Sequence, residues 1–261
     1  MKNQAKRQKD LALLKSKMPS MPVFILVRPQ MAENIGMAAR AMMNCGIYDL
    51  RVVAPRESPF DEKAFAASSG ADPILRETKV YPTLEEAVAD LNFVLATTAR
   101  PRHVSKQVFE ASQMQKVFEN TSMSLSKIGI LFGCERTGLE NEELECADAL
   151  LTIPLNPEHT SLNLSQAVLL VGYECLKSVA SGQLKSAQTP ENPLANKADI
   201  QMFLDKLNEA LTEKGYYRLV DKRPKMQQNL DNIFLKAGLS KQEVQTLHGV
   251  LKSLIRSNKK S

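Results

Sequence analysis

Short apolar runs rich in β-branched residues alternate with segments of helical periodicity between residue 23 and about residue 180. The runs that predict strands are VFILVR (23–28), LRVVAP (50–55), KVY (79–81), FVLATT (93–98), KIGILFG (127–133) and ALLTIP (149–154). Strands that are apolar on both faces and separated by helices form mostly parallel sheets with helices on both sides. The alternation therefore predicts a doubly wound α/β domain.

Helix signals lie between and after these strands. Asn34 or a neighbour can cap a helix that continues through 37–44 and stops at Gly46. Thr83 and Glu86 have the spacing of a capping box, and a longer helix is predicted over about 163–179.

The periodicity is lost at 181–198, where Ser, Gly, Pro and Asn accumulate as they do in linkers. Beyond it, three amphipathic helices are predicted near 200–211, 225–237 and 240–256, with Gly238 ending the second. The predicted organisation is a basic N-terminal arm at 1–20, an α/β domain at 21–180, a linker at 181–198 and a helical domain at 199–261.

Charge is distributed unevenly along the chain. Residues 1–20 carry a net charge of +5, residues 21–180 carry 14 basic and 20 acidic side chains for a net −6, and residues 181–261 carry +6. An acidic centre with basic ends indicates a catalytic or small-molecule core whose affinity for a polyanion comes from its flanks. Two solvated basic surfaces are the alternative explanation.

Several classes of protein are excluded by composition. No window approaches the ~18 apolar residues of a membrane span, and the N-terminal residues lack the apolar region of a signal peptide, so a cytoplasmic protein without membrane contact is expected. The four cysteines stand singly and there are three histidines, so we expect reduced thiols and no metal site.

Ligands of open α/β sheets bind outside the carboxyl ends of the strands, so the loops that follow the strands are the candidate site. The loop after the first strand lacks the G-x-G-x-x-G pattern of dinucleotide sites. The loop between Gly133 and Gly138 has P-loop spacing but is followed by Leu-Glu instead of Lys and Ser or Thr. Nicotinamide dinucleotide and nucleoside triphosphate sites are therefore disfavoured.

Individual polar residues of these loops allow two interpretations. Asn34 and Ser161 can be plain helix caps, and Gly36 and Gly138 can be plain turn glycines. Arg40 is different because its helical neighbours are apolar. An unpaired buried charge costs several kcal/mol, so we expect Arg40 to pair with an acid or bind an anion.

Three segments carry a specific combination of residues: ENIGMAARAM at 33–42, ILFGCERTGL at 130–139 and IPLNPEHTSLNLSQAV at 153–168. In this order and spacing they resemble the motifs of the SpoU (TrmH) branch of the SPOUT RNA methyltransferases. Within that branch, the third segment, TTARPR at 97–102 and the helical extension are most similar to the enzymes that methylate the 2′-hydroxyl of nucleotide 32 in the tRNA anticodon loop. Cys134, at a position that is often basic, and Thr160, where serine is common, depart from the pattern.

The resemblance implies a SPOUT-type α/β domain with a parallel sheet and a C-terminal trefoil knot, plus the small helical domain. It also implies a homodimer that binds S-adenosyl-L-methionine and has its site at the dimer interface. The cofactor-binding residues that it implies are Thr97, Thr98, Ala99, Gly133, Ile153, Thr160, Ser161, Leu162 and Asn163.

The resemblance assigns the catalytic role to Arg40, with Asn34, Ser161 and Glu135 around it. Arg40 would stand near the target ribose and phosphate. A guanidinium with a pKa above ~12 is a poor base, so activation of the hydroxyl and electrostatic positioning both remain open. Asn34 and Ser161 would hold the arrangement, and Glu135 would pair with Arg40 or Arg136.

RNA binding is expected from the basic flanks and the strand-end loops. Tyr216 and Tyr217 lie among five cations at 214–225, where tyrosines can stack on unpaired bases or, alternatively, pack in a helix connection. The predicted RNA-binding residues are Arg28, Arg100, Arg102, Arg136, Tyr216, Tyr217, Arg218, Lys222, Arg223 and Lys225. The expected partner is tRNA, with ribosomal RNA, another tRNA position or a non-catalytic RNA-binding protein as alternatives.

Overall fold

The computed structural model describes residues 13, 15–16, 19–99, 106–121, 124–181, 192–217 and 222–257. Most of the predicted N-terminal arm lies outside these residues, as do Arg100, Arg102 and Arg218. The chain divides into two compact units, Met1–Gln188 and Thr189–Ser261.

The first unit is built on a parallel sheet of seven strands in the order β3-β2-β1-β6-β4-β7-β5. The strands are β1 (Val23–Val27), β2 (Leu50–Val53), β3 (Lys79–Tyr81), β4 (Phe93–Thr97), β5 (Gln107–Glu110), β6 (Ile128–Phe132) and β7 (Ala149–Thr152). Its helices are α1 (Ala32–Asn44), α2 (Glu62–Ser68), α3 (Asp72–Glu77), α4 (Leu84–Val88), α5 (Met114–Thr121), α6 (Asn141–Glu145) and α7 (Leu164–Ala180). The predicted α/β class with a parallel sheet is confirmed.

Alternation along the strands produces a core on each side of the sheet. Phe24 and Leu26 of β1 belong to one buried cluster, which includes residues of α1 and α7. Val23, Ile25 and Val27 belong to a second cluster that includes residues of α4. Every residue of β1 is buried, as expected for a strand near the middle of a sheet with helices on both faces.

Strand β5 is absent from the sequence-based prediction. It lies at the edge of the sheet, where it pairs with β7. Of its residues QVFE only Phe109 is buried. An edge strand with one buried side chain has no continuous apolar run, so the pattern used for the other strands does not detect it.

Helix α1 begins earlier than predicted. Its N-cap is Met31, without a side-chain cap, and Asn34 is buried inside the first turn instead of capping the helix. Gly36 likewise lies inside α1 and not in a turn. A Cβ atom at position 36 would lie 2.1 Å from the carbonyl oxygen of Ala64 in α2. The glycine permits close packing of α1 on α2.

The second unit contains α8 (Lys197–Glu213), α9 (Arg223–Lys236) and α10 (Lys241–Ser257), which confirms the predicted C-terminal helices. Their core includes Ile200, Phe203, Leu204 and Val244. Gly238 has a φ of +58°, a left-handed conformation typical of a residue beyond a helix end. The bounds of the predicted linker, 181–198, stay a prediction. Leu194, within those bounds, pairs with Ser240 of the second unit.

Two further expectations concern the fold. In the sheet, β6 lies between β1 and β4, and β7 lies between β4 and β5, although both strands come later in the sequence than their neighbours. The trefoil knot itself stays a prediction. Among the described helices, none has the length and apolar character needed to cross a membrane.

Candidate functional site

A cavity of about 350 Å³ opens at the carboxyl ends of β4, β6 and β7. Three loops build it: the residues that follow β4, the segment from Phe132 to Leu144, and the segment from Leu151 to the start of α7. Eight of the nine predicted cofactor residues line it, namely Thr97, Thr98, Ala99, Gly133, Ile153, Thr160, Ser161 and Leu162. The topology thus brings together loops that are up to about seventy residues apart, as expected for the strand ends of a parallel sheet.

Gly133 sets the shape of this cavity. A Cβ atom at position 133 would lie 2.1 Å from the carbonyl carbon of Gly138 and 2.2 Å from the backbone nitrogen of Leu139. Gly138 has a φ of +71°, so the loop turns back sharply at that point. The backbone at 133 and the segment at 138–139 are therefore in contact, and both line the cavity.

Side chains of all three sequence motifs meet beside the cavity in what we call the motif bridge, formed by Asn34, Glu135 and Asn163. The Asn34 amide Nδ2 donates to Glu135 Oε1 at 2.6 Å, and Asn163 Nδ2 donates to Asn34 Oδ1 at 3.2 Å. The second Glu135 oxygen accepts from the backbone N–H of Gln30 at 2.9 Å. The bridge ties the loops after β1, β6 and β7 to one another.

Asn163 does not line the cavity; it also serves as the N-cap of α7. Its Oδ1 accepts from the backbone N–H of Ser165 at 2.9 Å, and Gln166 completes a capping box. One side chain therefore fixes both the start of α7 and its distance from α1, next to the lining residue Leu162.

The predicted pairing of Glu135 with Arg40 or Arg136 is wrong within the described chain. Glu135 faces the first turn of α1, where its oxygens accept from the Asn34 amide and the Gln30 N–H. Arg136 is exposed and lines the cavity. A half-buried carboxylate that accepts from two neutral donors beside a helix N-terminus does not need an arginine partner.

Arg40 is exposed, contrary to the expectation of a buried charge. It shares the outer face of α1 with Met37 and Asn44, while the residues between them face the core. Its Nη1 donates to Ser69 Oγ at 3.2 Å, and it is absent from the lining of the cavity. The apolar neighbours in sequence belong to the opposite face of the helix, which explains the incorrect expectation.

Arg28, predicted to bind RNA, is engaged by two carboxylates. Its Nε and Nη2 donate to Glu143 at 2.7 and 3.0 Å, and its Nη1 donates to Glu140 at 2.7 Å. The hydrogen bonds that Arg28 donates to Glu143 raise the pKa of Arg28, although partial burial opposes the rise. Glu140 and Glu143 were not predicted as partners of Arg28, and the cluster of glutamates after Gly138 is the sequence signal that indicates them.

Cys134 is a buried member of the cavity wall. Its Sγ lies 3.1 Å from Thr137 Oγ1. Burial acts to raise the pKa of the thiol, but hydrogen bonds from Thr137 and from the Arg136 backbone lower it on balance.

Among the residues that the structure describes, no group of three or more potential ligands for a metal ion is found.

The two tyrosines of the second unit differ sharply. Tyr217 is 9% exposed, donates from its hydroxyl to Asn208 Oδ1 at 2.5 Å, and has the Arg223 guanidinium 5.6 Å from its ring centroid. Tyr216 is 52% exposed and contacts Tyr217 edge to face at 5.1 Å. Lys222 and Lys225 are exposed. Tyr217 therefore packs in the unit, whereas the ring of Tyr216 is available to a ligand.

Comparison with known proteins places the chain among RNA methyltransferases. Residues 21–173 match the model of the SpoU rRNA Methylase family. A Photorhabdus laumondii protein named tRNA (cytidine/uridine-2′-O-)-methyltransferase TrmJ is 35% identical over 90% of this chain and 97% of its own length. An uncharacterized tRNA/rRNA methyltransferase of Haemophilus influenzae is 32% identical over 88% of this chain and 92% of its own length.

The fold has a similar counterpart among solved structures. The crystal structure of TrmJ from Z. mobilis ZM4 is 40% identical, with a TM-score of 0.80 over 90% of this chain and 99% of that one. The family model covers more than half of the chain, and its range includes the cavity loops and the motif bridge. The chain belongs to the SpoU rRNA methylase family.

Proposed function

We propose that this protein is an S-adenosylmethionine-dependent tRNA methyltransferase that acts in the cytoplasm. Its product would be a 2′-O-methylated cytidine or uridine at nucleotide 32 of the anticodon loop. The proposal is supported by the tRNA (cytidine/uridine-2′-O-)-methyltransferase relative, almost all of whose length this chain covers. The observation that carries it is the convergence of three strand-end loops on one cavity.

The cavity fits the cofactor in size and chemistry. Its volume of about 350 Å³ lies within the range of small-molecule sites, and apolar groups such as Leu151 and Ile153 alternate with hydroxyls such as Thr98 and Ser161. When bound, the cofactor supplies a methyl group on a sulfonium, which needs little activation. The residues of this chain then have to hold the ribose hydroxyl in line and help it lose its proton.

We assign Arg40 to the site of a second copy of the chain in a homodimer. The guanidinium is exposed and absent from the cavity of its own chain. Helix α7, which packs on α1, exposes Leu169, Leu170 and Tyr173, with 40–56% of each residue accessible. An exposed apolar surface on a helix that packs against α1 is typical of a subunit interface.

Mixed subunits test this arrangement. The assay uses a cofactor concentration that is too low to occupy the Gly133→Ala cavity. Under this condition, Arg40→Ala dimers and Gly133→Ala dimers are each expected to be inactive. After subunit exchange, transfer across the interface should restore about a quarter of the wild-type activity, because half of the dimers then contain one complete site. An inactive mixture of demonstrated heterodimers would show that Arg40 acts within its own chain or has no role.

The substrate is tested by mapping ribose methylation in total RNA from cells with and without the gene. We expect loss of the modification at nucleotide 32 of tRNAs. Loss at a ribosomal position would instead favour the ribosomal substrate of the family description, and an unchanged map with intact cofactor binding would favour a non-catalytic RNA-binding protein.

A further inference from the structure

We infer that Arg28 is a positioning residue that holds one wall of the cofactor cavity, and that it does not bind RNA. The inference rests on the proposed function, since it concerns the cofactor of that reaction. The wall is the segment 138–144, whose members Gly138, Leu139, Asn141 and Leu144 line the cavity.

This wall is weak when considered alone. It ends in α6, a helix of five residues, which is far shorter than the ~12 residues that an isolated helix needs for stability in water. Its capping box joins two carboxylates, with Glu140 as N-cap and Glu143 at the third helical position. Residues 135–145 contain five glutamates and one arginine, so repulsion between carboxylates opposes the compact turn.

Arg28 offsets this repulsion with a two-sided contact. Its Nε and Nη2 bind both oxygens of Glu143, and its Nη1 binds Glu140. Glu143 Oε2 also accepts from the backbone N–H of Glu140 at 2.7 Å, so the guanidinium and the capping box share one carboxylate. A planar guanidinium can satisfy two carboxylates in this way, whereas a lysine ammonium acts as a point charge.

The wall is consequently fixed from two sides. On the cavity side, the Gly133 backbone touches residues 138 and 139. On the outer side, Arg28 lies directly after β1 with a φ of +51°, a left-handed conformation that aims its side chain at α6. Gln30, two residues later, donates its N–H to Glu135 of the motif bridge. The loop after β1 thereby holds the segment that follows β6 at two points, Glu135 and the start of α6.

The same contacts argue against a phosphate ligand. The guanidinium already donates to two carboxylates, and 31% of its side chain is accessible. A phosphate approaching Arg28 would also meet the negative charges of Glu140 and Glu143. We therefore expect loss of Arg28 to change cofactor affinity and leave RNA affinity unchanged.

Titration calorimetry with S-adenosylmethionine and filter binding with tRNA across a salt series separate the two roles. Arg28→Ala should weaken cofactor binding about tenfold, while the single-turnover rate at saturating cofactor stays within about threefold of wild type. The tRNA affinity and its salt slope should stay unchanged, whereas loss of an RNA phosphate contact would reduce the slope by about 0.7–0.9. A reduced slope with unchanged cofactor affinity would overturn the inference.

Further variants keep the test independent of folding defects. Arg28→Lys should recover part of the affinity, and Arg28→Ala combined with Glu143→Gln should bind no more weakly than Arg28→Ala alone, because both changes remove one interaction. Asp90→Asn is the matched control, since it breaks a similar arginine–carboxylate contact, with Arg51, away from the cavity. Equal loss of cofactor affinity in this control, or additive effects in the double variant, would refute the inference. Failure of the wild-type protein to bind the cofactor would refute the proposed function instead.

Discussion

Gly133→Ala is the smallest change that should close the cofactor cavity. The added Cβ would stand 2.1 and 2.2 Å from backbone atoms of Gly138 and Leu139. Carbon atoms in contact lie about 3.5 Å or more apart, so the wall would have to shift by roughly 1.4 Å. Neither neighbour is the end of a flexible side chain, so the backbone of the 138–144 wall has to move.

The energetic cost can be estimated from other overpacked sites. Insertion of a methyl group into a packed position typically costs ~1–3 kcal/mol. If the wall relaxes into the cavity, cofactor binding must reverse that shift, and most of this cost appears as weaker binding. The expected loss of affinity is therefore about 5- to 150-fold.

The assay is cofactor titration together with thermal unfolding in the presence and absence of S-adenosylmethionine. Wild-type protein at ~100 times the dissociation constant should gain ~2.7 kcal/mol, and at the same cofactor concentration Gly133→Ala should lose about 0.9–2.4 kcal/mol of that gain. Gly129→Ala is the control, because its Cβ would meet the Leu91 Cδ1 at 2.5 Å, the end of a side chain in the core. Wild-type affinity in Gly133→Ala, or an equal loss in Gly129→Ala, would refute the reasoning.

Three further outcomes are expected. Tyr216→Ala should weaken tRNA binding by ~1–3 kcal/mol without lowering the unfolding temperature. Tyr217→Phe should lower that temperature, because the buried hydrogen bond to Asn208 Oδ1 is lost. The reverse pattern would contradict the assignment of Tyr216 to RNA. Replacing Lys222, Arg223 and Lys225 together by alanine should flatten the salt dependence of tRNA binding by up to roughly 2 units, and an unchanged slope would move RNA recognition to other surfaces. Hydrogen bonding to Arg51 lowers the pKa of Asp90, so its contribution to stability is present above its unfolded pKa and is lost as pH falls through the folded value. Acid titrations of unfolding should show a smaller pH dependence below about pH 4 in Asp90→Asn, and identical curves would contradict this contact.

The sheet was largely predictable because its strands are buried on both faces. β1 and β6 consist entirely of buried residues, so their apolar runs are continuous in the sequence. Strand β5 and the short helices α2 and α3 follow no such run, and their positions depend on packing against elements that are distant in sequence. Periodicity detects burial, and it fails where an element has few buried side chains.

The residues of the candidate site were predictable from the motifs, but their contacts were not. Gly133 and Ser161 line the cavity as expected, because the loops that follow parallel strands all lie at the same edge of the sheet. The partners of Glu135 and Arg28 depend on which side of a loop faces α1 or α6. The predicted partner of Glu135 was an arginine, whereas in the structure an amide and a backbone N–H donate to it.

The motif bridge also constrains the order of events during folding. Its two side-chain hydrogen bonds join residues that are 101 and 129 positions apart. Contacts of such sequence separation form late, because the entropy of closing the intervening chain must be lost first. During synthesis, the hydrogen bond between Asn34 and Asn163 cannot form until Asn163 has left the ribosome. A nascent chain should therefore acquire cofactor affinity only after the start of α7 has emerged. Cofactor binding would then report that the three motifs have come together, and it would mark the earliest point at which the nascent enzyme can bind the methyl donor.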